Sequence, residues 1–220
     1  LFLFRDGEVI GWTITAGSLT FNPSLMAHDP LELDPENPLP PQRGTLLVSG
    51  PYLADPYFRR TVVLLCTHDD EGSFGLVLNR PIDMGVADLM EDMPTVPSPV
   101  GIGGPVQSSN LFYLHTLAPR IEGSLHVVND IHMGGDYEQL RSILSAAPKL
   151  ARHVRFFVGY SGWEEDQLQR EIEQRSWLVH PANKRLVMQA GPSDLWADTL
   201  RSMGPAFAPL ANFPEDPSLN

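Results

Sequence analysis

Residues 154–158 form a short apolar run, followed directly by Gly159-Tyr160-Ser161-Gly162-Trp163-Glu164-Glu165-Asp166. An apolar run that short reads as a buried strand, and the glycines after it let the chain bend tightly. Ser161 precedes Glu164 by three residues, the capping-box spacing, in which the serine hydroxyl accepts from the N–H of residue 164 and the carboxylate reaches back. The acids at 164–166 suit the positive end of a helix dipole. The spacing therefore predicts a strand over 154–160, a turn capped by Ser161, and a helix over 162–174. A strand that feeds a helix in this way restricts the chain to folds that mix the two elements, and such junctions often carry ligand sites. A nucleophile elbow needs Gly-x-Ser-x-Gly, and the motif here closes one residue early, so Ser161 reads as a cap.

Periodicity orders the rest. Strands are predicted at 45–49, 61–67 and 73–79, the last two paired across the turn His68-Asp69-Asp70-Glu71-Gly72. A short helix is predicted at 86–92, and strands at 111–116 and 125–128. Asp136 caps a helix over 137–147, with Tyr137, Leu140, Ile143 and Leu144 on one face. Residues 177–180 and 185–189 read as a strand pair. Ser193 caps a last helix over 194–203, ended by Gly204-Pro205. The fold class expected is α+β: a single domain with a mixed, largely antiparallel β-sheet and about three to four helices. The stretch 26–43 is rich in proline and acids and cannot pack a core. The domain is therefore expected over 44–210. An arm over 1–43 is expected to be disordered or to lie upstream of a true start at Met26, and 211–220 to be a disordered tail.

Charge and residue type narrow the chemistry. The formal charge is −12, half of it outside 44–210, and it opposes a phosphate backbone. Arg141, Lys149, Arg152 and Arg155 make one acid-free basic stretch, which reads as a solvated face. A DNA-reading helix at 162–174 would carry Glu164, Glu165, Asp166, Glu171 and Glu173, so direct DNA binding is not expected. There is no run of about 18 apolar residues, and no membrane association is expected. Cys66, the sole cysteine, lies in an apolar run and reads as a small buried hydrophobe in a reducing compartment. No cofactor is expected, and no metal, since the polar residues of the 68–72 turn point several ways. Residues 101–106, Gly-Ile-Gly-Gly-Pro-Val, lack the Gly-Lys-Ser/Thr ending of a P-loop. A structural turn is the leading reading, with a phosphate cradle or a partner loop as alternatives. His115 sits in an apolar strand and needs a partner if buried. Asp55, Arg60 and Asn79 fall at strand ends.

Several motifs occur in order: Gly44-Thr-Leu-Leu-Val-Ser-Gly-Pro51, Asp55-x-x-Phe58, Gly75-Leu-Val-Leu-Asn79-Arg-Pro81, Gly103-Gly-Pro-Val106, Leu114-His115, Gly159-Tyr-Ser-Gly-Trp163 and Ser176-Trp177. Together they resemble the AlgH/YqgE family of bacterial proteins over nearly all of 44–205. The resemblance implies a compact cytoplasmic α+β domain, with one branch named as a transcriptional regulator of alginate synthesis, and it brings no catalytic residue. The expected function is a non-enzymatic regulatory or adaptor domain acting through an unknown protein or small-molecule partner. Its candidate site comprises Asp55, Arg60, Asn79, Gly103, Gly104, Pro105, His115, Tyr160 and Trp163. The alternative is a nucleotide-binding protein or enzyme, in which Asp55, Arg60, Asn79, His115 and the 103–105 loop share one cleft with Trp163 as a stacking wall.

Overall fold

The computed structural model describes residues 39–188 and 194–212, together with the backbone of residues 2–5, 8–15 and 18–21. The chain divides into two units, Leu1–Pro38 and Leu39–Asn220. In the first, strands β1 (Phe2–Arg5), β2 (Glu8–Thr15) and β3 (Ser18–Phe21) form an antiparallel meander. Arg5 faces Glu8 and Thr15 faces Ser18. The sequence between the strands is Asp6-Gly7 and Ala16-Gly17, glycine-containing pairs of the kind short hairpins use. The proline-rich lead-in at 22–38 and the tail at 213–220 lie outside the described residues.

The second unit holds ten strands: β4 (Thr45–Ser49), β5 (Val62–Asp69), β6 (Gly72–Val77), β7 (Pro81–Gly85), β8 (Pro99–Ile102), β9 (Val106–His115), β10 (Leu125–Val128), β11 (Ile131–Met133), β12 (Val154–Trp163) and β13 (Trp177–Pro181). Its α-helices among the described residues are α1 (Val86–Leu89), α2 (Tyr137–Ala146), α3 (Gln167–Glu173), α4 (Lys184–Met188) and α5 (Leu195–Ser202). The strand order is β10-β11-β9-β12-β6-β5-β4-β13, and β8 joins β12 to β7. Among the described residues only the β8–β12 pairing is parallel. This is the expected α+β class with a mixed, largely antiparallel sheet.

The apolar runs fill the centre. Leu46, Leu47, Val48 and every residue from Val62 to Cys66 are fully buried, which is why these strands lack an in–out alternation. Two side-chain clusters flank them. Tyr113, Leu140, Leu144, Val154 and Phe156 pack under α2, and Leu47, Val63, Leu65, Trp163, Leu168 and Trp177 pack under α3. Burial pushes the Cys66 thiol far above its ordinary pKa, so it behaves as the small core hydrophobe its neighbours suggest. The α2 cap is as expected, with the Asp136 carboxylate accepting from Gln139 N–H at 2.9 Å.

Two segments depart from the sequence reading. β12 does not end at Tyr160: Ser161, Gly162 and Trp163 pair with Gly75, Phe74 and Ser73 of β6. Ser161 is therefore a fully buried strand residue and caps nothing; its hydroxyl donates to Gly103 O at 3.1 Å. The helix begins only at Gln167, after Asp166 turns the chain at φ 57°. The Glu164 N–H is satisfied by Gln167 Oε1 at 3.0 Å. The second departure is at 185–188, where a strand over 185–189 is expected and α4 forms instead. Asn183 Oδ1 accepts from Leu186 N–H at 3.0 Å, a side-chain cap that starts the helix. Ser193, expected to cap the last helix, lies outside the described residues, and Asp194 is the residue preceding α5.

Candidate functional site

The two glycine motifs are one structure. At Gly159, with φ 67°, the register of β12 against β9 shifts; Tyr160 still pairs with Val106, and pairing with β6 begins at Ser161. A Cβ placed on Gly159 would lie 2.5 Å from Gly104 O and 2.9 Å from Val106 O. Side chains at Gly103 or Gly104 would likewise run into the backbone of Gly159 or Tyr160. Gly103 donates to Val158 O at 2.8 Å, and its carbonyl accepts from Val77 N–H at 2.9 Å and from the Ser161 hydroxyl. The Gly103-Gly104-Pro105 segment is thus a close-packed structural turn whose Gly103 N–H and C=O are already occupied. Its Gly103 N–H is therefore not free to hold an anion.

The strand-end polar residues also work within the fold. Asp55 Oδ1 accepts from Tyr57 N–H at 2.8 Å and Phe58 N–H at 3.1 Å, capping its own turn. The Arg60 guanidinium lies 4.7 Å from the centroid of the Trp196 ring. Asn79 is buried; its amide donates to Arg60 O at 2.8 Å and accepts from Val62 N–H at 3.0 Å, tying the 55–60 turn to β5. Asn79→Ala strands both groups, so an unfolding free energy lower by about 2 kcal/mol is expected from urea denaturation. A loss near zero would show that water replaces the amide.

His115 has no exposed surface. Its Nδ1 accepts from Leu117 N–H at 3.2 Å, which leaves Nε2–H to donate to Gly134 O at 3.0 Å, with Ser124 Oγ also 3.0 Å away. Burial holds its pKa below the ordinary histidine value; the Gly134 carbonyl pulls the other way, and nearby His132 adds to the lowering. The unfolded chain therefore takes up a proton, at a pKa near ~6.5, that the folded chain resists. This contribution to stability is complete above that pH and is lost as pH falls through the lowered folded pKa. His180, lowered by burial, acts in the same sense. His115→Gln is expected to flatten the decline in stability measured from pH 7.5 to pH 5; an unchanged slope would assign that decline elsewhere.

Trp163 is a core residue and not a stacking wall. It packs edge-on to Trp177 at 5.9 Å and tilted to Phe58 at 6.3 Å. Asp55, Arg60, Asn79 and His115 therefore do not share one cleft with the 103–105 loop. Nor do the four basic residues make a common face. Arg155 is partly buried and donates to Val187 O and Leu78 O, while Arg141 pairs with Glu138 and, at 3.9 Å, with Asp92. Among the described residues, no three His, Cys, Asp or Glu side chains are placed to hold a metal ion. No helix among them is long and apolar enough to cross a membrane.

Tyr160 is different, because its half-buried ring is presented outward. It stacks on Phe74 at 4.6 Å, and Phe112 meets the pair edge-on at 5.3 Å from Phe74 and 5.8 Å from Tyr160. These rings line or adjoin a hollow of about 600 Å³ whose rim carries Asp69, Glu71 and Glu164. An adjoining hollow of about 290 Å³ adds Asp70, Glu165 and Asp166. No lysine or arginine lines either one. Phe74 and Phe112 are not recognisable as site residues in the sequence. They meet Tyr160 because β6 and β9 both flank β12, a long-range arrangement without a local signal.

Comparison with known proteins agrees with this fold. A family model described as AlgH-like matches residues 46–208. A UPF0301 protein of Cytophaga hutchinsonii is 39% identical over 179 residues, 81% of this chain and 98% of that protein. One from Bacteroides thetaiotaomicron is 36% identical, covering 82% of this chain and 92% of the relative. A crystal structure from Corynebacterium diphtheriae aligns with a TM-score of 0.68 at 25% identity, over 80% of this chain and 95% of that one. The solution structure of the AlgH protein from Pseudomonas aeruginosa aligns with a TM-score of 0.63 at 26% identity, over 81% and 98%.

Proposed function

The chain belongs to the AlgH-like family, and we propose that it is a non-enzymatic regulatory or adaptor domain that docks a cationic segment of a protein partner at Tyr160. The observation that carries the reading is the Tyr160–Phe74 stack, open to a hollow whose rim is entirely acidic where it is charged. Tyrosine and phenylalanine supply large contact area at little entropic cost and dominate interface energetics. A lysine or arginine over an aromatic face is favoured, the more so beside carboxylates that steer it in. The chain's charge of −12 works in the same direction.

The enzyme reading has less support. Asp55, Asn79 and His115, the groups it needs, hydrogen-bond within the fold, and none of them lines the hollow. Any regulatory action in the cytoplasm is then exerted through a protein partner, without the chain itself reading DNA.

Fluorescence anisotropy with two labelled peptides tests this, one alternating arginine and leucine, the other glutamate and leucine. The arginine peptide is expected to bind, to weaken as salt rises, and to lose affinity in Tyr160→Ala and in a Glu71→Gln, Glu164→Gln double variant. Equal binding of both peptides, or indifference to Tyr160→Ala, would sink the reading.

A further inference from the structure

At the other end of β12 from its pairing with β6, the start of the strand borders a further cleft of about 710 Å³, of different chemistry. Its ionisable lining is basic: Arg152, His153, Arg155 and Lys184, with no aspartate or glutamate. In a chain of net charge −12 this is a local inversion of sign. Pro81, Pro97, Val100 and Met188 give the same cleft an apolar wall.

Arg155 is the informative residue. Its guanidinium is partly buried, donates through Nη1 to Val187 O at 2.5 Å and through Nη2 to Leu78 O at 2.6 Å, and lies 5.2 Å from the Phe157 ring centroid. These contacts fix the plane of the group while using only part of its donor set, which numbers about five N–H bonds. Among the described residues no carboxylate pairs with it. Burial lowers its pKa to about 10, which still leaves it charged at neutral pH. A partly desolvated cation without a counter-charge carries a cost, and an anion in the cleft would supply that charge.

The surrounding groups fit the same ligand. The Lys184 ammonium is held at 2.5 Å from Asp130 and so keeps a fixed place at the rim. The Arg152 side chain donates to His153 Nε2 at 3.2 Å, and His153 Nδ1 lies 3.0 Å from Thr116 Oγ1, so these polar side chains are mutually positioned. Several cations around one opening suit a doubly charged phosphate monoester better than a single carboxylate, and the planar guanidinium offers the fork that phosphate oxygens accept. The volume falls in the range of small-molecule sites, and the apolar wall gives the rest of the ligand a surface to lie against.

We propose that the cleft between the start of β12, the 97–101 segment and α4 is a binding site for a small organic phosphate, with Arg155 as its partly buried anchor and Arg152 and Lys184 at its rim. The site is separate from the Tyr160 hollow, so either can fail without the other.

Isothermal titration with AMP, adenosine, inorganic phosphate and a single-stranded oligonucleotide tests it. AMP is expected to bind, phosphate to bind more weakly and compete, and adenosine to be silent. Arg155→Leu and, separately, an Arg152→Ala, Lys184→Ala double variant should each weaken AMP by roughly tenfold or more. The rim variant keeps the test valid if Arg155→Leu does not fold, because both rim side chains are exposed. Binding of AMP and adenosine alike, binding of the oligonucleotide alone, no binding of AMP, or AMP affinity unchanged in the rim variant would each overturn the proposal.

Discussion

Trp163→Ala is expected to lower the unfolding free energy by about 3–5 kcal/mol, the cost of emptying a large aromatic site in a packed core. Trp163 joins three kinds of contact in one place. Its ring packs with Trp177 and Phe58 and lies in the cluster with Leu47, Val63, Leu65 and Leu168. Its indole N–H donates to Glu171 Oε2 at 2.9 Å, an oxygen that also accepts from the Trp177 indole at 2.8 Å. Its backbone pairs with Ser73 at the far end of β12. Trp163→Phe keeps a ring and removes the donor, while the Trp177 indole still holds Glu171, so a smaller loss of about 1 kcal/mol is expected beyond any packing change. Urea denaturation of both variants, with m-values compared, separates the two contributions. A Trp163→Ala loss below that of Trp163→Phe would place the residue outside the core.

Gly159→Ala is the second large effect. Two penalties coincide there: a left-handed φ of 67° and a Cβ 2.5 Å from the Gly104 carbonyl. The adjoining Gly103 is tied through both its N–H and its C=O, which limits how far the Gly104 carbonyl can move away. Gly123 is the natural control, because its φ is 71° but nothing lies within 4 Å of an added Cβ. Gly123→Ala is expected to cost about 1 kcal/mol, the conformational part alone. Gly159→Ala is expected to cost about 3 kcal/mol or more. Equal melting temperatures for the two variants would show that the two glycine motifs are not packed backbone against backbone.

Signals in the sequence are legible where the physics is local. The buried runs of β4 and β5, the turn at 70–71 that joins β5 to β6, and the Asp136 cap of α2 each follow from a few adjacent residues. The junction after Tyr160 misleads because its serine and acids carry a genuine capping pattern. What overrides it is β6, nearly ninety residues earlier in the chain, which takes up Ser161, Gly162 and Trp163 as strand partners. Val187, β-branched and fully buried, favours a strand at 185–189, yet the Asn183 side chain starts a helix there.

The site divides along the same line. Tyr160 stands out in the sequence through the motif that surrounds it. Phe74 and Phe112 do not, since only the neighbourhood of β12 brings them to it. Arg155 counts as one more surface charge in a basic stretch until α4 and the 78–80 turn are seen to place carbonyls on its guanidinium. Composition gives the number of charges, and only the fold decides which of them leave the solvent.

The most direct test of the docking account is an amide NMR titration of the full chain with the arginine–leucine peptide. Saturable shifts centred on Phe74, Phe112 and Tyr160, spreading to Glu71 and Glu164 and absent in Tyr160→Ala, are the predicted result. Shifts that leave those strands untouched, or that survive unchanged in Tyr160→Ala, would contradict it.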